Sequence, residues 1–142
     1  MTDGIRRTKS FLLCFLPAWL QLLGPEYRTK PRQAVLQIRE HSAHLTPANR
    51  GRWYHDMLAF HAGSISAEEL LKKAGESRSR ECDAYFYLGL AKLGEGNRKE
   101  AKAYFRRTMN TGMFSDVEYC WSRAFLARID DPEWLPWVPL KK

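Results

Sequence analysis

Apolar positions along this chain recur mostly at three- and four-residue intervals, in segments broken by Gly, Asn, Pro and Ser. That spacing predicts amphipathic helices. From Pro31, which suits a first helical turn, Ala34, Val35, Ile38, Ser42 and Leu45 make a stripe that Thr46-Pro47-Ala48-Asn49 stops. Trp53, Met57 and Phe60 mark the next helix, which ends at Gly63. Ser66-Ala67-Glu68-Glu69 is a capping box, in which a hydroxyl and a carboxylate satisfy the free amides of a helix start, and the short helix it opens buries Leu70, Leu71 and Ala74. A last helix is expected from about Ser115 to Ile129, ended by Asp130-Asp131-Pro132.

The strongest pattern lies between Glu81 and Gly112. Tyr85, Leu88 and Lys92 share one face of a first helix, and Phe86, Leu90 and Leu93 share another. In a second helix Ala101, Tyr104, Phe105 and Thr108 or Met109 share a face. Between them stands Gly94-Glu95-Gly96-Asn97, a turn suited to residues that accept positive φ. The two helices therefore form an antiparallel hairpin.

An aromatic at Tyr85, Leu88-Gly89, Gly96-Asn97 at the turn, Ala101 and Phe105 stand at the spacing of a tetratricopeptide repeat, and this stretch, about residues 81–113, resembles one. Small Gly89 and Ala101 let two backbones approach, with Phe105 filling the gap beside them. Three positions depart from the family pattern: Lys92 replaces a tyrosine, Thr108 a second alanine and Met113 a closing proline. The segments Trp53–Ala62 and Ser66–Gly75 repeat the same long–turn–short layout, with Gly63 preceding Gly96 by 33 residues. The same shift sets Asp56 against Gly89 and Glu68 against Ala101, so this is a degenerate repeat, kept by rhythm rather than by residue type. The expected fold is all-α, successive antiparallel hairpins stacked as a short right-handed solenoid. Its core should include Ile38, Trp53, Met57, Phe60, Leu71, Leu88, Ala101, Phe105 and Phe125.

Residues 26–142 read as this helical domain with a tail rich in Trp and Pro. In the tail, Trp134 and Trp137 either fold back to cap the last helix or offer a proline-rich segment to another protein. Residues 1–25 are ambiguous. Arg6, Arg7 and Lys9 precede an apolar run from Phe11 to Leu23, the layout of a secretory signal. Yet the cleavage region is poor, Leu13 rather than a small residue precedes Cys14, and Pro17 interrupts a run of 13 residues where a span needs about 20. A targeting or anchor segment, with membrane association through residues 10–23, and an apolar helix lying on the core both stay open. So does the compartment, cytoplasmic or membrane-associated and exported.

The net charge of +7 is uneven: residues 1–80 carry 13 Lys/Arg against 7 Asp/Glu, and residues 81–142 carry 10 against 9. A basic first half admits a peripheral protein on an anionic membrane surface or nucleic acid. Arg28, Lys30, Arg32, Arg50 and Arg52 would line such an edge beside Trp53 and Tyr54, although charges also gather at helix ends because water is there. Nucleic acid is the weaker of these partners.

Chemistry is not nominated. His41 and His44 are one turn apart but lack further nameable ligands, and no HExxH, P-loop, GxSxG or GxGxxG is present, so no metal, cofactor or catalytic residue is assigned. Cys14, Cys82 and Cys120 are odd in number and scattered, and form no CxxC. Cys82 and Cys120 read as small apolar side chains. The resemblance implies instead a non-catalytic protein–protein interaction module or assembly adaptor, with its partner in a groove lined by Asp83, Phe86, Leu90 and Leu93. Apolar Phe86 and Leu90 suit an apolar helix or extended segment better than a terminal carboxylate. These side chains could equally be covered by the chain's own preceding helices.

Overall fold

A computed structural model describes residues 52–134 together with Trp19, Leu20, Leu22, Lys30 and Gln33. Ile38, His41, His44, Cys14, Trp137 and most of the basic N-terminal edge lie outside the described residues. Five helices follow one another: α1 (Arg52–His61), α2 (Ala67–Ala74), α3 (Arg78–Gly94), α4 (Arg98–Asn110) and α5 (Val117–Leu126). No strand occurs among the described residues, and each helix packs on its successor, with the α3–α4 interface the most extensive. This is the expected all-α stack of hairpins.

Local chemistry sets the helix ends. Ser66 Oγ accepts from Glu69 N at 3.1 Å while Ser66 N donates to Glu69 Oε2 at 2.7 Å, a complete capping box opening α2. At the end of α3, Gly96 N donates to Leu93 O and Asn97 N to Lys92 O, both at 2.9 Å, with Gly96 at φ 78°. This Schellman turn closes the free carbonyls of α3, and Asn97 Oδ1 then accepts from Glu100 N at 3.2 Å to open α4. The end of α1 is built the same way: Gly63 N donates to Phe60 O at 3.0 Å, Ser64 N to Ala59 O at 2.8 Å, and Gly63 has φ 75°. The 33-residue interval between Gly63 and Gly96 thus separates two turns of one geometry.

The core gathers where α3, α4 and α5 meet. Phe86, Phe105 and Phe125, one from each helix, stand 6.1, 6.3 and 5.4 Å apart between ring centroids. Each ring buried there contributes about 1.5–3 kcal/mol from burial alone. Leu88, Ala101, Phe105, Phe125 and Met57 are buried as expected, whereas Trp53, Phe60 and Leu71 are only partly covered and pack around the core's edge. The reason is that α1 and α2 are short and each has one face turned to solvent, so Trp53 and Phe60 of α1 and Leu71 of α2 sit at the rim.

α5 is shorter than the pattern implied. Its helical bonding stops at Leu126, and the next residues turn tightly: Arg128 N donates to Phe125 O and Asp131 N to Arg128 O. Arg98 holds this corner. Its guanidinium donates to Ile129 O at 3.0 Å, Asp131 O at 2.8 Å and Trp134 O at 2.6 Å, and lies 5.9 Å from the Trp134 ring centre. Trp134 in turn packs edge-on to Phe125 at 5.2 Å. From the other end of the chain, Leu22 is 2% exposed within the core and Trp19 rests on Trp121 and Phe125 at 5.4 and 6.3 Å.

The three departures from the repeat pattern have local partners. Lys92 Nζ lies 3.2 Å from both Glu95 Oε2 and Glu100 Oε2, tying the end of α3 to the start of α4 across their turn. Thr108 is fully buried and its hydroxyl donates back to Tyr104 O at 3.3 Å. Met113 N donates to Thr111 Oγ1 at 3.4 Å, a bond that proline could not make.

Candidate partner-binding surface

The four residues assigned to a partner-facing lining fall in two environments. Phe86, Leu90 and Leu93 are each 0% exposed, covered by the chain's own helices. Asp83 is half-buried and accepts from Trp53 Nε1 at 2.9 Å, which joins α1 to α3. Burial raises the Asp83 carboxyl to about 6 against the stabilising Trp53 bond, and Asp116 adds repulsion. Glu118, in the first turn of α5, is 3% exposed, and burial followed by the nearby Asp83 raises it to about 7. An acidic corner therefore forms where α3 meets α5. No cluster of three or more His, Cys, Asp or Glu able to hold a metal occurs among the described residues.

What faces solvent is different. Phe114 is 76% exposed, Val117 41% and Trp121 40%. Val117 and Trp121 are i, i+4 on α5, and Phe114 sits in the turn just before it with its ring 6.3 Å from Tyr119. The opposite stripe of the same helix, Glu118, Ser122 and Phe125, is buried. Ser122 follows Gly89 by 33 residues and is 0% exposed, so a small residue again lies inward. The sequence pattern places Phe125 in the core and assigns no role to Val117 or Trp121. The available signal was a ten-residue helix bearing apolar residues on more than one side, more than a single contact can bury.

The cysteines separate in the same way. Cys82 is fully buried, which pushes its thiol up to about 12 and makes it a small apolar side chain in practice. Cys120 is exposed, contrary to the expectation of an apolar setting, because it lies on the outer side of α5.

Stacked hairpins, twin glycine turns 33 residues apart and Gly89 pressed against Phe105 make the fold tetratricopeptide-like. The chain is similar to the Lipoprotein NlpI homolog of Haemophilus influenzae, at 31% identity over 108 residues, an alignment taking in 71% of this chain and 33% of that protein. It thus spans about a third of the length of that curated relative. No family model matches the chain. No solved structure matches it either.

Proposed function

We propose that this chain is a non-catalytic protein–protein interaction module or assembly adaptor that holds an apolar helix or extended segment of another protein. The observation carrying this reading is the apolar face of Phe114, Val117 and Trp121 on and beside α5, which stays exposed even though Trp19 and Phe125 cover one side of Trp121. Large apolar side chains grouped in water mark interaction surfaces more often than isolated ones do. In this reading Phe86, Leu90 and Leu93 form the floor that keeps α3 and α5 together, and Asp83 supplies a polar edge. The tetratricopeptide-like fold supports it, since stacked hairpins present helices side by side as a docking surface.

The test compares two double variants in affinity purification from the source cell. Val117→Ser with Trp121→Ser is expected to keep its circular dichroism spectrum and lose the partner that the wild type retains. Phe86→Ser with Leu90→Ser is expected to unfold, because each change leaves a buried hydroxyl in an apolar core. Retention of the same partners by the Val117/Trp121 variant overturns the assignment of this surface.

A further inference from the structure

Trp19, Leu20 and Leu22 come from the start of the chain and are helical, yet Trp19 settles on the helix nearest the other end. Its ring stands edge-on to Trp121 at 5.4 Å and 77°, and to Phe125 at 6.3 Å and 89°. Leu22, three residues on and so on the same helical face, is 2% exposed within the core. An aromatic and an aliphatic residue one turn apart are the kind of anchors with which an apolar helix seats in a groove. The stack is open at this place. Ser122 follows Gly89 by 33 residues, so α5 stands as the first helix of a third hairpin, but no further helix succeeds it among the described residues. Trp19 and Trp134 lie against Phe125 instead.

The two rings are held differently. Trp134 belongs to the corner that Arg98 fastens through the carbonyls of Ile129, Asp131 and Trp134. Among the described residues no side-chain hydrogen bond or ion pair holds Trp19 or Leu22, and their contacts are apolar. Exchanging such contacts for those of another apolar segment leaves no buried donor or acceptor unpaired. Trp19 also covers only one side of Trp121, which stays 40% exposed one turn after Val117. A segment reaching both side chains would bury more apolar area than Trp19 does. We propose that Trp19 and Leu22 are an internal plug on the α5 face, displaced by a partner's apolar helix that carries an aromatic and an aliphatic residue one turn apart. This regulation rests on the reading of α5 as the docking face. Being part of the same chain, the plug competes at a high effective concentration, so it turns weakly matched segments away.

The probe is a fluorescein-labelled peptide of residues 17–28, titrated with the full chain and read by fluorescence anisotropy. The wild type should bind it weakly, because its own copy occupies the face. Trp19→Ala should bind it at least tenfold more tightly. Trp19 is only half-buried, so the circular dichroism spectrum of that variant should match the wild type. The peptide carrying Trp19→Ala and Leu22→Ala should not bind. Adding Val117→Ser and Trp121→Ser to the Trp19→Ala chain should abolish the gain. Equal affinity of wild type and Trp19→Ala for the peptide overturns the plug, and leaves the docking face standing where Val117→Ser/Trp121→Ser has lost its partner. Retention of that partner removes the docking face itself, whatever the peptide does. A mass that rises with concentration in ultracentrifugation, but stays monomeric in Trp19→Ala, also overturns the plug, since the segment then comes from a second copy. So do phosphatidylglycerol vesicles that change the tryptophan emission of the wild type but not of Trp19→Ala, since the segment then answers to a lipid surface.

Discussion

A β-carbon placed on Gly89 would stand 2.5 Å from Cε1 and 2.8 Å from Cδ1 of Phe105. The hairpin of α3 and α4 closes only because position 89 carries no side chain. Both residues are fully covered, and the Phe105 ring also meets Phe86 and Phe125, so it has little room to retreat. Gly89→Ala should therefore destabilise the protein by about 1–3 kcal/mol, although alanine is the better helix former by about 1 kcal/mol. Urea unfolding of Gly89→Ala, Phe105→Leu and the double variant measures this. The two changes should be less than additive, because trimming the ring relieves the clash.

The turns at Gly63 and Gly96 share one geometry, and substitution should affect them alike in kind. Alanine at either site must adopt φ near 75–78°, at a cost of about 1 kcal/mol. Gly96→Ala adds the consequence of its position: it bends the turn that also seats Asn97 as the cap of α4. Asn97→Ala alone should cost about 1 kcal/mol, and its loss should be partly shared with that of Gly96→Ala in a double variant. Midpoints of chemical unfolding decide both.

Arg98 gathers the carbonyls of Ile129, Asp131 and Trp134. Arg98→Ala should release that corner and expose Trp134, at a cost of about 2–3 kcal/mol for the lost charged hydrogen bonds. Red-shifted tryptophan emission with α-helix content nearly unchanged is the expected result. Arg98→Lys should not restore it, since an ammonium cannot span three carbonyls in the guanidinium's fork geometry.

Stability should change with pH in two opposed ways. Glu118 and Asp83 have folded pKa values of about 7 and about 6, raised from 4.5 and 3.8 mainly by burial. The native state therefore holds protons that the unfolded chain has released, and their contribution to stability is lost as pH rises from about 4 through 7. His61 acts the other way. It is 6% exposed, edge-on to Tyr87 at 5.3 Å, with no hydrogen-bond partner on either ring nitrogen among the described residues. Burial lowers it to about 4 from 6.5, so its contribution is full above pH 6.5 and lost as pH falls through 4. Glu118→Gln should gain on the wild type at pH 8 and show little advantage at pH 4. His61→Leu should gain most at pH 4. Melting temperatures across pH 4–8 distinguish the two effects.

The positions of α1 to α4 were legible because the signals are local. Periodic apolar residues, the Ser66 box, Gly63 and the Gly96-Asn97 turn act within one or two helical turns of themselves. The close approach at Gly89 was legible too, since an absent side chain opposite a large ring at repeat spacing has one economical explanation. The end of α5 was not, because the carbonyl-binding side chain that turns the chain there stands some 30 residues earlier, at Arg98.

What the amino-acid order determined by itself was helices α1 to α4, the Ser66 cap, the glycine turns at Gly63 and Gly96 and the hairpin that Gly89 and Phe105 close, all matters of spacing and backbone preference. Only the tertiary structure decided which apolar faces are spent inward. The same alternation on α3 serves a groove or a core equally well, until neighbouring helices cover Phe86, Leu90 and Leu93, while on α5 Val117 stays in water and Trp121 is covered on one side by Trp19 and Phe125. Burial is a property of the partners a side chain meets, and those partners come from distant parts of the chain.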